Sequence, residues 1–191
     1  MTFAYIVRCR FTAPDKEAAW NAWYSGPKTV QMLRQPHFRT LQRFRRVSGN
    51  NRAYLALWTV TRPEALTTRE YKSQWGFAEW QSDITDWSRD LFDGRPAPET
   101  AFAVELGGAL RVVSFDGMND DDADAARPPI AAAHPAMLWL PIAGLDRHTP
   151  LIGLEVLPEL ARAKSPDRAA EPRIQQSIYQ PICELKKTDA V

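Results

Sequence analysis

The stretch WNAWYSGPKTVQMLRQPHF, from Trp20 to Phe38, gathers residue types able to hold or act on a small molecule. Trp20, Trp23 and Tyr24 crowd five positions, a Gly26-Pro27 break follows, and Lys28 and His37 lie beyond it. Rigid flat side chains with a polar tip suit planar aromatic ligands. The Tyr24 phenol and the indole N–H groups need partners, which a ligand carbonyl or hydroxyl would supply. The competing reading is ordinary helix packing against a sheet.

Other reactive residues are scattered. His37 sits where a helix stops and a strand starts, at the rim of any pocket there, whereas His134 and His148 read as loop residues. A catalytic histidine would need an orienting carboxylate or carbonyl. RTLQRFRR at 39–46 packs Arg39, Arg43, Arg45 and Arg46 together, as a solvated strand edge or a local anion site. Glu105 and Glu155 fall in apolar strands, where burial would raise a carboxyl pKa, or they face outward. No nucleophile elbow, phosphate loop, dinucleotide fingerprint, HExxH or CxxC pattern occurs. Nothing here calls for a metal, flavin, nicotinamide or haem, so no cofactor is expected.

Alternation and turn chemistry give the elements that would position these residues. FAYIVRCRF at 3–11 reads as a strand with Phe3, Tyr5, Val7 and Cys9 on the face that meets a core. A helix follows, with Trp20, Trp23 and Tyr24 on one side. Gly26-Pro27 breaks it, and Ser25 is placed to cap a new turn. Residues 38–47 and 53–61 are strands joined by a Ser-Gly-Asn-Asn turn. Thr61-Arg62-Pro63-Glu64 opens a second, long helical region in which Trp80, Ile84 and Trp87 form an apolar stripe ended by Asp93-Gly94. A fourth strand falls within 101–116. Residues 1–117 thus form an α+β ferredoxin-like β-α-β-β-α-β domain. Residues 118–135 read as an acidic, proline-rich linker, and 136–191 as a β-rich C-terminal extension or a degenerate second half that lost its helices. A helical turn is expected at 159–165.

Composition bounds the rest. The chain has 191 residues, 45% hydrophobic, enough for a sizeable core. Lys plus Arg is 24 and Asp plus Glu is 23, so nucleic acid is not a favoured partner. Two cysteines without metal or redox spacing point to a reducing cytoplasm, and neither a signal peptide nor a membrane span is expected.

The β-α-β-β-α-β order, Trp23-Tyr24 late in the first helix, Pro36-His37-Phe38 leading into a strand, and Arg43-Phe44 within it resemble the dimeric α+β-barrel superfamily, its antibiotic-monooxygenase-like members included. The resemblance covers roughly residues 3–116. It implies ferredoxin-like units pairing sheet to sheet, hence a homodimer, and a ligand held between helices and sheet. It implies a pocket lined by Trp20, Trp23, Tyr24, Trp58, Trp80 and Trp87. The family's usual histidine, a base or haem ligand there, falls here on Lys28, which would bind an anion, would act as a base once desolvated, or is an ordinary surface lysine.

Three functions remain open. The first is a cofactor-independent enzyme, a cyclase, isomerase, dehydratase or monooxygenase, acting on a small aromatic or polyketide-like compound. Tyr24, Lys28 and His37 would be its catalytic residues and Arg43 its anion holder. The second is a non-catalytic binding or stress-response module, and the third an assembly unit whose tail covers the dimerising sheet.

Overall fold

A computed structural model describes residues 2–163 and 171–188. Strand β1 (Phe3–Phe11) leads through a short 3-10 turn into helix α1 (Glu17–Trp23), and helix α2 (Thr29–Leu33) follows. Strands β2 (Phe38–Gly49) and β3 (Tyr54–Val60), helix α3 (Arg69–Gln74) and strand β4 (Ile84–Asp93) complete the first half. The second half runs β5 (Ala109–Phe115), α4 (Asp120–Ala133), β6 (Leu138–Leu145), β7 (Leu151–Leu157), β8 (Ile174–Pro181) and the short β9 (Lys186–Lys187).

The strands pair in the order β3-β1-β4-β6-β7-β5-β8-β2, and β2 pairs again with β3, so eight antiparallel strands close into a barrel. Within the first half the order is β2-β3-β1-β4, and within the second β6-β7-β5-β8. The second half therefore repeats the first strand for strand. β4–β6 and β8–β2 are the seams, and closure leaves neither half with an open edge there.

Alternation along β1 sorts its side chains as expected. Phe3, Tyr5, Val7 and Cys9 join the cluster under the helices, while Ala4 and Ile6 join the barrel interior with Phe44, Leu57, Phe92, Val112 and Ile152. Arg8 also points inward and is wholly buried. Its Nη1 donates to Asp116 Oδ1 and Ser114 Oγ, both at 2.9 Å, and its Nη2 lies 3.5 Å from Asp90 Oδ2. Arg52 Nη1 donates to the other Asp116 oxygen at 2.6 Å. Burial alone would raise the Asp116 carboxyl, but the two guanidiniums overcome it and hold it below the usual carboxylate range.

Several expectations need correction. The long second helix is short: after α3 the chain turns at Gly76, which has φ +95°, and β4 begins at Ile84. Trp80, Ile84 and Trp87 are therefore not a helical stripe, because Ser88, Asp90 and Phe92 bury in strand alternation. The strand at 109–115 is not the fourth strand of the first half; it pairs with β7 and β8. The acidic stretch is not a linker but α4, capped by Asn119 Oδ1, which accepts from the Asp122 N–H at 2.7 Å. Asp120–Asp122 complement the helix dipole, and the inner face carries small Ala123 and Ala126 beside Ile130. The second half thus kept its first helix. Of the turn expected at 159–165, a 3-10 turn covers Leu160–Arg162, and 164–165 lie outside the described residues.

Gly49 shows how tightly the β8–β2 seam closes. At φ +94° a Cβ there would collide with the Gln176 carbonyl and lie 2.6 Å from Ser177 Cα. Gly49→Ala is expected to lower unfolding free energy by more than about 2 kcal/mol in a urea titration; an unchanged midpoint would mean the seam yields.

Candidate functional site

The helical path between β1 and β2 is kinked where Gly26-Pro27 stands, as the sequence led one to expect. Gly26, at φ −109°, ψ −105°, leaves helical geometry, and Tyr24–Lys28 joins the two helices across that kink. Proline denies the backbone one donor, so the regular ladder does not run through. Ser25 does not cap the next turn: its hydroxyl accepts from Arg43 Nη1 at 2.9 Å, while Thr29 Oγ1 donates to the Tyr24 carbonyl at 2.6 Å. The kink turns Tyr24 and Lys28 toward the sheet, and both are buried.

There they meet a pocket on the outer face of β1, β3 and β4, with Val7, Trp58, Trp87 and Arg89 on the sheet side and Trp75, Gly76 and Phe77 closing it from the segment after α3. Register explains the floor: Tyr5 lies opposite Trp58, and Val7 opposite Arg89. Trp75 and Trp87, 40% and 37% exposed, stand at the mouth with centroids 6.2 Å apart. The enclosed room is about 20 Å³, roughly that of one water.

Electrostatics single out Lys28. Its Nζ donates to the Gln74 carbonyl, and among the described residues no carboxylate lines the pocket. Desolvation alone pulls its pKa down to about 8. Tyr24 moves the other way: burial pushes its phenol up despite Arg43, so it is a proton donor and not a base. Arg89 is the pocket's second cation. Its guanidinium stacks on Trp75 at 4.0 Å, and its Nε donates to Asp146 at 3.2 Å from outside. Tyr5 and Tyr71 share a hydroxyl contact of 3.0 Å beneath it.

Of the residues expected at the site, Tyr24, Lys28, Trp58 and Trp87 come together. Trp20, Trp23 and Trp80 do not line it; they pack on one another, on Phe11 and on Tyr24, with Phe11 stacked on Trp20 at 4.6 Å, although the Lys28 amine lies 5.9 Å from the Trp23 ring centre. Arg43 is no free anion holder. It lies 4.2 Å over the Tyr24 ring, and its donors are taken by Asn21 and Ser25. His37, at φ +73°, faces a different cleft. Glu155 pairs with Arg111 at 3.1 Å, and Glu105 is exposed; neither lines the pocket. Sequence reading missed Arg89, Trp75 and Phe77, because it placed residues 64–93 in one helix. The Trp75-Gly76 break was the available signal.

The chain has the dimeric α+β-barrel fold. An anthrone oxidase-like protein superposes with TM-score 0.60 at 10% identity, covering 99% of this chain and 94% of the other. A candidate monooxygenase from Lactobacillus acidophilus gives TM-score 0.53 at 8% identity, covering 100% and 99%. A candidate chlorite dismutase gives 0.53 at 9% identity, covering 95% of both chains. No family model and no curated protein matches the sequence. At these identities the likeness speaks for the fold, and chemistry must be argued from the site. Among the described residues no imidazole lines the pocket, so its lining offers a haem iron no histidine. Among the described residues no helix is long and apolar enough to cross a membrane.

Proposed function

We propose that the chain is a monooxygenase-type enzyme, working without a bound cofactor on a hydroxylated aromatic or polyketide-like ketone. One observation carries this reading: a buried lysine amine, with no carboxylate beside it, faces a pocket walled by Trp58 and Trp87 and carrying Arg89. Neutral Lys28 takes a proton from an activated C–H. Arg89 and the Tyr24 phenol donate to the oxygen on which the negative charge collects. With an anthrone-class substrate, dioxygen then adds to the carbanion. One oxygen atom stays as a new carbonyl and the other leaves as water, so CH₂ plus O₂ gives C=O plus H₂O and no external reductant enters.

A fused ring system needs roughly 300 Å³ or more. Entry therefore requires the Trp75–Phe77 segment, which closes the pocket, to move. The alternative, a non-catalytic binding or stress-response module, is favoured by the Gln74 carbonyl that occupies Lys28. Barrel closure within one chain does not call for a second copy, so the expected homodimer would have to form through another surface. A reducing cytoplasm remains our reading for a chain whose Cys9 and Cys183 are both free.

The test is dioxygen uptake with anthrone. Turnover above the spontaneous rate, with one ¹⁸O atom in the product, is expected. Saturable binding with no added uptake would replace the enzyme by the binding module.

A further inference from the structure

His37 and Arg39, from the Pro-His-Phe turn and the basic stretch, take no part in the pocket. Both line a second, larger cleft of about 730 Å³ on the opposite side of α2. Met32 of that helix faces the pocket, whereas Thr29, Val30 and Leu33 face the cleft.

The cleft combines charge with an apolar floor. Arg34, His37, Arg39, Lys186 and Lys187 line it, and among the described residues no carboxylate does. Glu99 reaches Arg39 only at 3.8 Å, between half-exposed groups. In a chain of net charge +1 this is a local concentration of positive charge. Val30, 51% exposed, supplies the apolar surface, while Leu33 and Phe38 lie behind it, buried. The wall carrying the two lysines is fixed in place: β9 pairs with Thr40 and Leu41, and Thr188 Oγ1 donates to the Leu33 and Phe38 carbonyls at 3.1 and 2.8 Å.

We propose that this cleft is a binding site for a small amphipathic anion, a carboxylate carried on an apolar body. The size falls in the range of small-molecule sites, roughly 300–1,000 Å³. The apolar body lies along Val30 and Leu33, and the carboxylate is shared among the cations of α2, β2 and β9. Arg34 at the end of α2, Arg39 on β2 and Lys186 and Lys187 on β9 line the one cleft, so positive charge reaches it from three elements. The site does not depend on the chemistry of Lys28, which lies on the other side of the helix.

Calorimetric titration with decanoate tests this, with decanol as the uncharged control. Saturable decanoate binding is expected, weaker by about tenfold or more with decanol, and weakening as salt is raised. Lys186→Glu/Lys187→Glu should lower decanoate affinity by a similar factor. Arg34→Glu, on a different element, should do the same if the double variant disturbs β9. Lys28→Met should leave it unchanged. Equal binding of decanol and decanoate, no effect of either charge reversal, or loss with Lys28→Met would each overturn the proposal.

Discussion

Lys28→Met is expected to lower kcat/KM for anthrone by about 10²–10⁴-fold while near-ultraviolet circular dichroism stays unchanged. In the wild type the rate should climb as pH rises through about 8, because only the neutral amine accepts a proton. Stability gives an independent sign. The folded pKa of about 8 lies below the ordinary lysine value of 10.5, so between those values the unfolded chain binds more protons. Wild-type stability must then rise with pH across that window. Lys28→Met removes this slope, and at pH 7 it also removes the cost of burying a charged amine. The variant should therefore be inactive and at least as stable as the wild type. Loss of activity accompanied by unfolding would make Lys28 a structural residue. Retained activity would make another group the base.

Arg8→Leu should cost about 3–5 kcal/mol in unfolding free energy, measured by denaturant titration. Arg8 bridges β5 and β4 from inside the barrel, with Asp116 at 2.9 Å and Asp90 at 3.5 Å. Leucine leaves both carboxylates buried and Asp116 supported by Arg52 alone. The pH dependence follows. Asp116 titrates below its ordinary value in the fold, so its stabilisation is full above the unfolded carboxylate pKa and is lost as pH falls through the depressed one. Without Arg8 that acid limb should move to higher pH. Because the network ties the two halves together, a change below about 1 kcal/mol would show that the hydrophobic interior alone closes the barrel.

The legible parts of the sequence were those where one local signal decides. FAYIVRCRF alternates faces over its length, and the Ser-Gly-Asn-Asn turn separates two strands, so β1, β2 and β3 could be placed. Trp58 and Tyr24 followed from that frame and the helix beside it. The failures share a cause. Residues 80–92 satisfy helical and strand spacing together, since Trp80, Ile84 and Trp87 fit one period while Ser88, Asp90 and Phe92 fit the other. Only pairing with β1 and β6 decides the matter, and that contact is long-range. Arg89 went unseen for this reason. Helix α4 was hidden because its inner face is built on alanine, which carries almost no hydrophobic periodicity. The roles of Arg8 and Arg43 could not be read at all. Each is a basic residue in a strand, and whether it meets water or an interior carboxylate or ring depends on barrel closure.

A crystal structure of the protein with anthrone, grown and frozen without oxygen, bears most directly on the pocket. The rings should lie between Trp58 and Trp87, the Trp75–Phe77 segment should be displaced, and the activated carbon should sit within about 3.5 Å of Lys28 Nζ. Anthrone bound elsewhere, with that segment unmoved and Lys28 still on the Gln74 carbonyl, would contradict the assignment of this pocket as an active site.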